Sequence, residues 1–284
     1  MKNMKIFNPS IKNKGFTLIE LSIVLVIIGL LTGGVLVGRE LIKAAQLRSF
    51  IKQYANFETA VMTFRGKYNG IPGDITLEQA AMFGFAPTTR DPSFAAGYVT
   101  HGNGIIEDGD GMPPLHIVHG FDFEGTQGGA RLDSEGLFFW EDLSSAHLIE
   151  GTFNSYTTAA ETPIGPLSAG QINLYLPQAK AGKNASWAII DSYYVIATIT
   201  APVDSHLQLF PAFTPIEAYG IDQKIDDGIP ASGIVWASNP TNWSTPLINI
   251  VAGNNCYIAG NPSYYDTAAN PNNPACNLVI KASF

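Results

Sequence analysis

One long apolar stretch opens the chain, and a sparser, periodic pattern follows it. Leu21 to Gly38 (LSIVLVIIGLLTGGVLVG) holds no charged residue, and its length is enough to cross the hydrocarbon core of a bilayer as a helix. Beyond it the apolar positions narrow to a stripe: Leu47, Phe50, Ile51, Tyr54, Phe57, Val61, Phe64 and Tyr68 recur at steps of three and four. That spacing belongs to a helix with one buried face. No breaker separates the two patterns, so a single helix is expected from Phe16 to Tyr68. At 1.5 Å per residue it would run about 80 Å. Gly29, Gly33, Gly34 and Gly38 are poor helix-interior residues. They mark either close helix contacts or a segment able to loosen.

Asn69-Gly70-Ile71-Pro72-Gly73-Asp74 stops the helix with turn-forming residues. Downstream, Thr76 to Phe83 reads as a short capped helix. Glu135 to Glu150 reads as a longer one, with Leu137, Trp140, Leu143, Ala146 and Leu148 facing inward. Strands are expected over Ser186 to Thr200, Gly233 to Ala237 and Asn277 to Ala282. The pattern predicts an α+β fold: a long N-terminal membrane-spanning helix packed at its top against an antiparallel-sheet head.

Charge divides the chain in the same places. Lys2, Lys5, Lys12 and Lys14 precede Phe16 with no acid among them. The stem is basic, with Arg39, Lys43, Arg48, Lys52, Arg65 and Lys67 against Glu40 and Glu58. From residue 69 onward only Arg90, Arg131, Lys180, Lys183, Lys224 and Lys281 oppose many Asp and Glu, and the whole chain carries −8. Such a head repels phosphate backbones, so it is not expected to bind nucleic acid. A basic stem beside an acidic head is either a solvated face or a means of packing copies together. Basic residues flank the apolar run on both sides, so they do not set its orientation. Glu20 stands just inside the apolar helix, where a carboxylate is costly and marks a waiting partner.

Lys14-Gly15-Phe16-Thr17-Leu18-Ile19-Glu20, set directly against LSIVLVIIGLL, closely resembles the N-terminal processing segment of type IV prepilins and type II secretion pseudopilins. The resemblance covers roughly the first fifth of the chain. It implies cleavage by a prepilin peptidase between Gly15 and Phe16, N-methylation of Phe16, and retention of Glu20 for assembly. In assembly, the new amine of one subunit would meet the Glu20 carboxylate of its neighbour. Implied segments are a leader at 1–15, a transmembrane and assembly half-helix at 16–38, an amphipathic half-helix at 39–68 and an extracytoplasmic head at 69–284. The implied location is the bacterial inner membrane, crossed once, with the head in the periplasm or outside the cell after assembly. Partners would be the peptidase, the membrane, and other pilin or pseudopilin subunits through the helix. A secretory signal peptide has a shorter apolar core with its cleavage site beyond it. An ordinary signal anchor gives no reason for Glu20.

Two functions of different class follow. The first is a structural subunit, a minor pilin or pseudopilin given the size of the head. The alternative is a membrane-anchored adhesin or ligand-binding protein that does not polymerise. An enzyme is not expected: there is no Gly-rich phosphate loop and no Gly-x-Ser-x-Gly elbow. His116 and His119 follow Pro113-Pro114, which argues against the helix a zinc protease motif needs. Four head segments also resemble parts of large, poorly described pilin-like proteins, without implying an activity: 67–75, 102–111, 147–151 and 221–235.

Cys256 and Cys276 bracket a loop rich in Asn, Pro and Tyr. In the oxidising compartment implied by the resemblance they would form a disulfide, as many type IV pilins do near the C-terminus; otherwise they are two unrelated buried thiols. Between His101 and Gly111, oxygen donors sit among glycines. Asn103, Glu107, Asp108 and Asp110 are therefore candidate ligands of a structural calcium, and no other cofactor is expected. The spacing is not that of an EF-hand, and the other reading is an acidic surface turn. Asp222, Asp226 and Asp227 beside Gly228 form a second acidic turn, suited to side-chain capping of backbone N–H groups or to a cation. Tyr193, Tyr194, Trp236, Trp243, Tyr264 and Tyr265 are either core and sheet filler or a binding face.

Overall fold

The computed structural model describes residues 15–85, 101–106, 135–154, 169–190, 193–200, 208–238, 256–258, 264–268 and 273–284. The chain divides into two compact units, one ending at Ala45 and the other running from Gln46 to Phe284. Helix α1 (Leu18–Tyr68) begins in the first and ends in the second. Its apolar side chains from Leu18 to Ile42 are exposed in the single chain. It is long and apolar enough to cross a membrane, compatible with single-pass anchoring.

In the second unit α1 becomes one-sided, as its periodicity predicts. Phe50, Phe57, Val61, Phe64 and Tyr68 are buried, while Leu47, Ile51 and Tyr54 pack against the core at its margin. Asn69 turns into the left-handed region at φ 54° and ends the helix.

The head is α+β, and its sheet is antiparallel throughout. Strands β1 (Ala185–Ile190) and β2 (Tyr193–Thr200) form a hairpin, with Ile190 paired to Tyr193. On the far edge of β2, the first half meets β5 (Asn277–Lys281) and the end meets β3 (Gln208–Phe210). Strand β4 (Val235–Ser238) pairs with β5. The single strand expected over Ser186 to Thr200 is thus two strands, β1 and β2. Both are apolar and buried on both faces, so alternation cannot reveal the reversal between them.

Four helices complete the described head: α2 (Leu77–Phe83), α3 (Glu135–Ser145), α4 (Ala169–Ile172) and α5 (Pro215–Ile225). Helix α3 stops at Ser145 rather than Glu150. His147 adopts φ 56° and Leu148 N–H reaches back to Leu143 O, the geometry of a left-handed helix stop. Leu137, Trp140 and Leu143 are fully buried, and Ala146 and Leu148 only partly so.

An aromatic cluster joins stem, sheet and α3. Trp187 of β1 stacks on Phe50 at 4.8 Å and meets Phe57 edge-on at 5.3 Å; Phe57 in turn meets Trp140 at 4.9 Å. Such pairs add about 0.5–1.5 kcal/mol each beyond their burial. Gln53 satisfies the polar atoms beside them. Its oxygen accepts from Trp187 Nε1 (3.1 Å) and Lys180 N (3.0 Å), and its amide donates to Gln178 O (2.8 Å).

Candidate functional site

Gly15, Phe16 and Thr17 precede α1 without helical structure, and the Phe16 ring is 84% exposed. Among the described residues, nothing beyond its chain neighbours lies within 4 Å of the position a Gly15 side chain would take. Thr17 and Glu20 cap the helix reciprocally. The Glu20 carboxylate accepts from Thr17 N and Thr17 Oγ1, both at 2.8 Å, and Glu20 N donates to Thr17 Oγ1 at 3.3 Å. This is a capping box, carried by the string Thr17-x-x-Glu20 and not by the apolar pattern. The single carboxylate of the apolar helix is thus held at the helix's own N-terminus, where the macrodipole favours negative charge.

In the head, buried carboxylates hold loops by their backbone N–H groups. Asp74 accepts from Gly102 N (2.5 Å), Asn103 N (3.1 Å) and Gly104 N (2.7 Å). Burial nevertheless raises its pKa, the three N–H bonds acting against that. Next to it, His101 Nδ1 lies 2.7 Å from Glu135 Oε1, and Asp142 accepts from Gly73 N at 2.7 Å. Gly73, at φ 88°, lies tight against the first turn of α3: a side chain there would come 2.5 Å from Glu135 O and 2.9 Å from Phe139 N.

The calcium candidates are only partly placed. Asn103 Oδ1 accepts from Ile105 N at 2.8 Å, turning inward on its own loop. Glu107, Asp108 and Asp110 lie outside the described residues.

The second acidic turn is fully placed. Asp222, Asp226 and Asp227 offer oxygens within 4.8 Å of one another. Each is engaged locally, as the capping reading expected. Asp226 accepts from Ile234 N and Val235 N, and Asp227 from Ile229 N and Ser232 Oγ. Asp222, fully buried, accepts from Gly228 N (3.1 Å) and from the Tyr265 hydroxyl (2.8 Å). Burial, reinforced by the neighbouring aspartates, pushes Asp222 from 3.8 up to about 6.

Cys256 and Cys276 are joined in a disulfide. Tyr257 bridges Tyr265 within the loop it closes. Of the aromatics, Tyr194 and Tyr265 are buried and Tyr193 packs on Trp236 at 5.4 Å, which makes them core and sheet filler. Tyr264 is exposed. Trp243, His116 and His119 lie outside the described residues.

Comparison with protein families matches residues 11–36 to the model of the prokaryotic N-terminal methylation motif. The match spans Gly15, Phe16 and Glu20, and is consistent with the type IV pilin and pseudopilin family. It supports a pilin-like prokaryotic protein, and implies in general terms prepilin-peptidase processing and pilin-type assembly. The motif's family is structural rather than enzymatic. Neither the curated proteins nor the solved structures yield a match to the chain.

Proposed function

We propose that this chain is a structural subunit, a minor pilin or pseudopilin, of a type IV pilus-like or type II secretion filament. The observation carrying this reading is the methylation-motif match at 11–36, laid over a continuous apolar helix with one carboxylate in its first turn. A prepilin peptidase cuts between Gly15 and Phe16, and Phe16 becomes the methylated N-terminus of a chain anchored once in the inner membrane. Residues 16–38 form the lipid and assembly half of the helix, 39–68 its amphipathic half and 69–284 the head, displayed in the periplasm or outside.

Glu20 supplies the assembly chemistry. In the single chain its carboxylate engages Thr17, so a monomer can wait in lipid with that charge satisfied. On assembly the amine of a neighbouring Phe16 brings a full opposite charge to a carboxylate otherwise bonded only to neutral donors, an attraction that grows in a low-dielectric surround. Removing the carboxylate leaves that amine unpaired among apolar side chains, which is strongly unfavourable. Glu20→Ala is therefore expected to be cleaved normally and to stay out of sheared filaments and filament-like membrane assemblies. Incorporation at the wild-type level would remove this role.

A further inference from the structure

We propose that Asn103 is a self-modifying site held silent by Asp74: when the 101–106 loop leaves that carboxylate, Asn103 closes onto Gly104 and the change is permanent. Asn103 and Gly104 form an asparagine–glycine pair exposed to water. Glycine has no side chain to hinder approach to its nitrogen, so such pairs close to cyclic imides more readily than other asparagine pairs. The Gly104 nitrogen loses its proton to solvent base and bonds to Asn103 Cγ. The Cγ–Nδ2 bond breaks, and ammonia leaves with a proton returned by solvent. Water then opens the imide, leaving an aspartate or an isoaspartate at position 103.

In the seated loop these steps are blocked. Gly104 N donates to Asp74 Oδ2 at 2.7 Å, so the proton that must leave is held by a buried carboxylate. Shedding it there would set a nitrogen anion against an oxygen anion, and a like charge so close disfavours the charged form. Gly102 N and Asn103 N bind the other oxygen of Asp74 at 2.5 and 3.1 Å, which fixes the backbone leading into the reacting atoms. Asn103 Oδ1 accepts from Ile105 N at 2.8 Å and is held in a turn of its own.

The second acidic turn repeats this arrangement without the reactive amide. Gly228 N donates to buried Asp222 at 3.1 Å, and Asp227 Oδ1 accepts from Ile229 N at 2.8 Å. Gly104 and Gly228 are both left-handed, at φ 86° and 77°. Position 227 is a carboxylate with no ammonia to expel, so that turn is a clamp alone. The amide at 103 is what makes the first turn a site of chemistry. Once formed, an isoaspartate does not reseat. It routes the backbone through the side chain, which moves Gly104 N away from the spacing that Asp74 matches, and it adds a negative charge close to that carboxylate.

The test incubates the full-length protein in detergent at neutral pH and follows positions 69 and 103 by peptide mass mapping, with isoaspartate scored by enzymatic methylation. Asn69-Gly70, the pair that ends α1, is the internal reference. In the native wild type, position 103 is expected to stay an amide and to convert about tenfold faster in urea. Asp74→Asn should speed conversion at 103 about tenfold with position 69 unchanged, the scale that follows from about 1.4 kcal/mol less loop stability. Equal wild-type rates with and without urea overturn the proposal. So does an Asp74→Asn variant whose conversion rises equally at both positions, or at neither. In protein already carrying isoaspartate, hydrogen exchange across 101–106 should be as fast as in Asp74→Asn, and exchange as slow as in unmodified wild type would overturn the permanence.

Discussion

The Tyr265 hydroxyl donates to the buried carboxylate of Asp222 across 2.8 Å, tying the disulfide-closed loop to helix α5. On its other oxygen Asp222 takes Gly228 N, which starts the exposed acidic turn. One side chain therefore fixes two surface loops that are far apart in sequence. Because it is buried beside Asp226 and Asp227, its charged form is the disfavoured one.

That has a pH consequence with a definite sign. The folded state holds the Asp222 proton up to about pH 6, whereas the unfolded chain releases it near 3.8. Between those values the native state binds more protons, so stability falls as pH rises, by about 3 kcal/mol in total. Asp74, raised in the same direction, adds to the slope. Asp222→Asn should flatten the dependence of denaturation midpoint on pH between 4 and 6.5, as Tyr265 can accept from the new amide. An unchanged slope in the variant would show that Asp222 is not the titrating group.

The disulfide should matter on a similar scale. Cys256 and Cys276 stand 20 positions apart, and closing a loop of that length contributes about 3 kcal/mol. Cys256→Ser with Cys276→Ser should lower the thermal midpoint by several degrees and open the loop around Tyr264 to proteolysis. Equal midpoints with and without reductant would contradict this.

Gly73→Ala should be among the most damaging single changes in the head. The new carbon would meet backbone atoms of α3 at 2.5 and 2.9 Å, and neither can swing aside as a side chain would. The positive φ adds its own cost, for a total of roughly 2–4 kcal/mol. Gly104→Ala shares the positive φ but meets nothing within 4 Å among the described residues, so it should cost less. Urea denaturation of the two variants side by side checks the order.

Asp74→Asn tests the carboxylate as a loop holder. An amide presents a donor to a site occupied by three N–H groups, and leaves at least one of them unpaired. The expected loss is about 1–3 kcal/mol, with faster amide exchange at Gly102, Asn103 and Gly104. Unaltered exchange would mean the loop is held by other contacts.

Helix periodicity made the stem legible, because eight apolar residues at steps of three and four admit few other folds. Phe50, Phe57 and Phe64 are buried as that spacing requires. The capping boxes lie outside the apolar pattern but are equally local: Thr17 with Glu20, and Thr214 with Glu217, announce α1 and α5. Helix α5 is signalled only when Pro215, a good first helical residue, is taken together with the Thr214 cap before it, since few of its apolar residues are buried. The sheet was less accessible. Which edge of β2 receives β5 and which part receives β3 depends on long-range packing that no local pattern encodes. The roles of Asp74 and Glu135 were hidden for the same reason, since their partners sit many residues away.

The most direct measurement is the mass and N-terminal sequence of the protein isolated from its native membrane. A chain beginning at N-methylated Phe16 is predicted, with residues 1–15 and all four of their lysines gone. A chain that keeps Lys14 and Gly15 ahead of Phe16 would contradict the account, since the Phe16 amine that Glu20 is proposed to meet would never have been made.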